Sequence, residues 1–155
     1  MLGLLAIPGF ADDAPPTASE SVSHPIAHRI DACIEEGGWQ PDAMLSCART
    51  AEEEWQEEVE RLTERLSSVL GSEPREALEE SDQAWQISRH ADLAFIDAYH
   101  DQLVEAEVGD PELLPLTRQL HRNAVLESRV DLLQRFLSGL ETMPESFSSD
   151  WVPLP

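Results

Sequence analysis

The sequence predicts an all-α protein, a small antiparallel bundle of about four helices, and three observations carry that expectation. Apolar residues recur at spacings of three and four over most of the chain, the period of a helix with one buried face. No stretch alternates with period two for long enough to make a strand. Gly and Pro clusters at 37–41, 71–74 and 109–111 cut the chain into segments of helical length, and connections this short make neighbouring helices antiparallel.

The first eleven residues, Met1 to Ala11, are apolar and uncharged and end in Gly-Phe-Ala before Asp12-Asp13, as the apolar core and cleavage site of a secretory signal do. The basic start of such a signal is missing. Either translation begins further upstream or the segment is an ordinary buried terminus; export is the expectation adopted. Eleven residues are too few to span a bilayer, which takes about 20 in a helix, so a periplasmic or secreted chain without membrane insertion is expected. Residues 12–22 mix Pro, Ser and acid without periodicity and read as a linker.

A helical domain is expected over 23–143, followed by a tail at 144–155. Its first helix is capped by Ser23 or His24, has Pro25 in its first turn, and ends at Gly37-Gly38, with Trp39-Gln40-Pro41 as a turn. The second starts at Pro41-Asp42 and runs an apolar stripe through Met44, Cys47, Ala48, Ala51, Trp55, Val59, Leu62, Leu66 and Val69. Gly71-Ser72-Glu73-Pro74 stops it and opens the third, with Ser72 as cap and a stripe through Leu78, Trp85, Ile87, Ala91, Phe95, Tyr99 and Leu103. Asp110-Pro111-Glu112 is expected to start the fourth, with a stripe through Leu113, Leu116, Leu120, Ala124, Leu126, Val130, Leu133, Leu137 and Leu140.

Charge is lopsided: 31 acids face 10 basic residues, all of them arginine, for a net charge of −21. Such a chain repels nucleic acid and anionic lipid headgroups. From Glu52 to Glu112, 19 acids stand against four arginines, a balance of −15, whereas Leu113 to Leu140 carries +2. The last helix should therefore be attracted to the middle two.

Cys33 and Cys47 in an exported chain should be bonded, tying the first helix to the start of the second; in a cytosolic chain they would be two buried thiols. The residues around them resemble a family. Cys33, Met44-Leu-Ser-Cys47-Ala48, the Trp55 to Val69 stripe, Asp82-Gln83-Ala84-Trp85 followed by Arg89, and Glu127-Ser-Arg129 occur in an order similar to the lysozyme inhibitor LprI-like domain, over roughly residues 30–137. Many relatives carry two further cysteines, whose places here are near Leu93 and His121. Both are absent, which favours the Cys33–Cys47 pairing. A Leu-Asn-x-x-Tyr element of the family is replaced around Val59–Leu62. The resemblance implies an exported helical module of the bacterial envelope.

No nucleophile motif, phosphate-binding glycine loop or flavin signature is present, so no enzyme activity and no cofactor are expected. His24 and His28 have the spacing of a helical metal site but no Glu between them and a proline at the frayed end, so no metal is expected either. His90, His100 and His121 are expected in solvated ion pairs. Trp85 is expected in the core, with Arg89 stacked on it or reaching Glu127 or Asp131. Trp39, inside the expected disulfide loop, is either a binding tip with Glu35 and Glu36 beside it or a lid over the helix ends, and Glu52-Glu53-Glu54 is a second candidate contact. What the resemblance implies for function is an acidic protein-binding module that inhibits a basic, lysozyme-like muramidase. An adaptor of the envelope, or an immunity protein against a cell-wall toxin, are the alternatives.

Overall fold

The computed structural model describes residues 24–142; the expected leader, linker and tail lie outside the described residues. Four helices follow in order, α1 (Pro25–Glu36), α2 (Pro41–Val69), α3 (Ser72–Glu105) and α4 (Leu114–Glu141), with no strand among the described residues. Consecutive helices are antiparallel, so α2 and α4 run parallel, and these two make the most extensive contact in the molecule. α1 lies on α2, α3 lies on α4, and α3 touches α2 only sparingly.

Each boundary has a local cause. His24 caps α1 with its ring, Nδ1 accepting from the Ile26 amide at 3.2 Å, and Pro25 supplies the first turn. Pro41 holds Gln40 extended (φ −75°, ψ 136°), which separates α1 from α2. Gly71, not Ser72, is the cap of α3, and Ser72 is its first helical residue. The fourth helix begins later than the Asp110-Pro111 signal suggests. Asp110 instead closes a turn in which its Oδ1 accepts from the Glu112 amide at 2.9 Å and its carbonyl from Leu113 and Leu114, so α4 opens at Leu114 with Pro115 in its first turn.

The core is the seam between α2 and α4. Ala51, Trp55, Val59, Leu62 and Leu66 of α2 meet Leu126, Val130, Leu133 and Leu137 of α4, and Ile26 of α1 joins the cluster. Trp55 is the largest buried side chain, 1% exposed, and the His24 ring lies 4.8 Å from it. Trp85, expected in the core, is half-buried and packs on the cluster from outside.

Two expected stripes are corrected. On α3 the residues turned inward are Leu78, Asp82, Trp85, Arg89, Leu93, Ile96, His100 and Leu103, while Ile87, Ala91, Phe95 and Tyr99 are exposed. On α4 the inward residues include Leu116, Gln119, Asn123, Leu126, Val130, Leu133 and Leu137; Leu113, Leu120 and Ala124 are exposed. Both inward sets step by threes and fours throughout. The expected ones contained steps of two (Trp85 to Ile87, Ala124 to Leu126), which is the mark of two faces read as one.

Candidate functional site

The α1–α2 turn is clamped from both sides. Cys33 and Cys47 are bonded, with Cα atoms 5.9 Å apart. Between them the amides of Gly37, Gly38 and Trp39 close on the carbonyls of Cys33, Glu35 and Ile34 at 3.0, 3.1 and 3.3 Å. Gly37 packs so closely that a Cβ there would stand 2.7 Å from that of Ala43. Gly38 and Trp39 both take left-handed backbone conformations, φ 62° and 59°. For a tryptophan that conformation costs about 1–3 kcal/mol, and the bridge and the capping bonds hold it. The result is an indole 64% exposed, with the exposed Glu35 and Glu36 on the last turn of α1 beside it.

The second candidate, Glu52-Glu53-Glu54, is divided by the structure. Glu52 is half-buried between α2 and α4, accepting from Gln119 Nε2 at 2.6 Å and from Arg122 at 3.3 Å. Arg122 also reaches Asp97 of α3 at 3.2 Å, so one guanidinium joins three helices. Glu54 takes both Nε and a terminal nitrogen of Arg29 at 2.9 and 2.6 Å, fastening α1 to α2. Of the three, Glu53 alone makes no ion pair among the described residues. Two of these carboxylates therefore hold helices together rather than face a partner.

Sequence reasoning missed the polar lock to which Glu52 belongs. Asn123, 4% exposed, donates to the Ala48 carbonyl at 2.8 Å and accepts from Gln119 at 3.0 Å. Its signal was present, since Leu116, Gln119, Asn123 and Leu126 keep the 3-4-3 spacing that Leu120 and Ala124 break.

The Asp82-Gln83-Ala84-Trp85 motif anchors α3 on α4. The Arg129 guanidinium, with the residue 5% exposed, lies 5.3 Å from the Trp85 ring centre, 3.5 Å from Asp82 and 3.4 Å from the Ser81 hydroxyl. Arg89 takes up a second position 5.6 Å from the same ring, so it stacks and does not reach Glu127 or Asp131. Gln83 is exposed. Such cation–aromatic contacts contribute roughly 0.5–2 kcal/mol each depending on desolvation. Arg118–Asp101, Arg122–Asp97 and Arg129–Asp82 realise the attraction that the charge distribution predicted for the last helix.

His100 and His121 are not in solvated ion pairs. His100 is 1% exposed, and its Nε2 shares a hydrogen bond with Nδ1 of His121 at 3.0 Å. Burial lowers the His100 proton affinity first, then the neighbouring charges of His121 and Arg118, against a smaller opposite pull from Asp97 and Asp101. Near the α3–α4 turn a cleft of about 680 Å³ is lined by Leu45, Leu103, Val104, Val108 and Leu114 among others. Arg49, Arg118 and Glu107 border the same cleft, so it selects no one sign of charge.

Compared with protein-family models, with curated proteins and with solved structures, the chain matches none.

Proposed function

We propose that the protein is an exported, acidic protein-binding module that inhibits a basic, lysozyme-like cell-wall hydrolase in the periplasm or outside the cell. The observation that carries this reading is the Trp39 tip, an exposed indole held in a left-handed conformation by a disulfide and three backbone bonds, with Glu35 and Glu36 at its side. A rigid aromatic loses little conformational entropy on contact, and aromatic anchors dominate binding energy at interfaces. The acids around it belong to a chain of net charge −21 and would steer it toward a basic surface. The order of elements resembling the LprI-like domain supports the same compartment and partner.

The test is binding kinetics against a panel of lysozymes at low and high salt, with turbidity clearing of cell walls as the activity readout. Trp39→Ala should speed dissociation about tenfold or more. Glu35→Gln with Glu36→Gln and Glu53→Gln should slow association and flatten its salt dependence. Glu52 and Glu54 are left intact because they hold Gln119, Arg122 and Arg29. A chain that neither binds nor protects cell walls at low salt would sink the inhibitor reading.

A further inference from the structure

α3 has two apolar faces, and among the described residues only one is covered. Leu78, Trp85, Leu93, Ile96 and Leu103 turn toward the bundle. Half a turn of the helix away lie Ala84, Ile87, Ala91, Ala94, Phe95 and Ala98, all exposed, with Ile87 74% and Phe95 70% in solvent. These are the two most exposed large apolar side chains among the described residues. From Ala84 to Ala98 the strip is about 21 Å long at 1.5 Å per residue, and it carries no charge in a chain of −21. Gln83, Ser88 and His90 flank it.

We infer that this strip pairs with the same strip of a second copy of the chain, the two α3 helices lying antiparallel about a two-fold axis at Ala91. In that register Ala84 stands level with Ala98 of the second copy, Ile87 with Phe95, and Ala91 with itself. Small residues let the two helix axes approach at the levels of Ala84, Ala91 and Ala98, and between those levels Ile87 and Phe95 pack side by side, as in the layers of knobs-into-holes packing. A two-fold contact of this kind is self-complementary by construction. The charges agree with the register. No acid of α3 between Ala77 and Glu105 lies level with an acid of the other copy: Glu80 is level with Gln102 and Asp101 with Ser81. A parallel pairing would set every acid against its own copy, Glu80 against Glu80 and Asp101 against Asp101, which repels. Two copies of −21 repel at long range, so contact is favoured where no charge has to be desolvated. α3 offers such a place.

This contact and the Trp39 tip respond to salt in opposite directions, which keeps the two proposals separable. Salt weakens an acidic module's hold on a basic partner and strengthens the association of two like-charged copies. Sedimentation equilibrium of the chain with its disulfide intact, over about 1–500 µM, should show a monomer–dimer equilibrium that tightens from about 0.02 to about 0.5 M salt. Ile87→Glu and Phe95→Glu, both at exposed positions, should each raise the dimer dissociation constant about tenfold or more while leaving the helical circular dichroism unchanged. Disulfide trapping reads the register. Ala91→Cys should cross-link to itself. Ala84→Cys should not, because its two copies would stand about 21 Å apart along the axis, but it should cross-link to Ala98→Cys when the two variants are mixed. A monomer at every concentration and salt, a dimer indifferent to Ile87→Glu and Phe95→Glu, or Ala84→Cys that traps itself in preference to Ala91→Cys would each overturn the inference.

Discussion

α2 and α3 are the two longest helices and both are rich in acid, yet α2 fully buries seven side chains and α3 only His100. α2 is packed by α1 on one side and α4 on another, and its apolar residues form a single stripe that ends in the core. α3 has one principal neighbour, α4, and distributes its apolar residues over opposite faces. Its attachment is correspondingly polar: Asp82 and Trp85 on Arg129, Asp97 on Arg122, His100 on His121 and Asp101 on Arg118. A helix held by hydrophobic burial and a helix held by ion pairs, aromatic contacts and one histidine pair thus share one bundle, and they should fail under different conditions.

The sharpest way to break that contrast is to remove one tryptophan from each helix. Trp55→Ala deletes a side chain 1% exposed at the centre of the α2–α4 seam and should cost about 3–5 kcal/mol. Trp85→Ala deletes a half-buried ring and should cost less than half of that, because water already reaches it. Denaturant melts of both variants decide the matter; equal losses would mean that α3 belongs to the core as firmly as α2. Removal of the Cys33–Cys47 bridge should come next. A loop of about 15 residues corresponds to about 3 kcal/mol in the chain-entropy model, and the loss should appear in thermal melts of the reduced protein, together with faster hydrogen exchange in α1. A third variant, Asn123→Ala, should cost about 1–3 kcal/mol by removing the donor to Ala48 and the acceptor for Gln119. A change within error there would mean that water replaces the lock.

The same contrast decides what the sequence reveals. The all-α class, the α1 and α2 boundaries, the Cys33–Cys47 bond and the attraction of the last helix for the middle two were legible, because each depends on local signals: Pro25 and Pro41, Gly37-Gly38, the α2 stripe, and charges that differ in sign between segments. The inward face of α3 was not. A helix with Leu93 and Ile96 on one side and Ile87 and Phe95 on the other satisfies two stripes, and the face that meets α4 is the one with Asp82, Asp97 and His100, polar residues that a search for apolar periodicity discards. The start of α4 misled for a related reason. Asp110-Pro111-Glu112 has the chemistry of a helix start, and its capping carboxylate serves a turn one step earlier. The turn that carries Trp39 was readable from its glycine pair and proline, but those residues fit a lid as well as an exposed indole, and the tying of Glu52 and Glu54 to other helices required the partners, 67 and 25 residues away in the chain.

The smallest expected effect tests the polar side of the contrast most directly. His100 is buried against His121 with Arg118 close by, and all three disfavour a proton on it more strongly than Asp97 and Asp101 favour one. Its pKa in the folded protein therefore lies below the value of about 6.5 that it has in the unfolded chain. Above that pH the ring is neutral in both states and the full stability is present. Below it the unfolded chain binds the proton first, so stability falls as the pH drops from about 6.5 toward the lowered folded value. The Glu58 carboxylate, held below its usual range chiefly by its hydrogen bond from Arg61, adds stability that is fully present above about 4.5 and is lost only as the pH falls beneath that value. As the pH falls, the His100 window opens first. Denaturant melts at about pH 7.5, 6.5 and 5.5 should show a decline in the wild type that is reduced in His100→Leu, and hydrogen exchange should place the acid-induced loosening in the second half of α3 before α2. An equal decline in both proteins would assign the pH sensitivity to other groups, and loosening that began in α2 would contradict the division between the two helices.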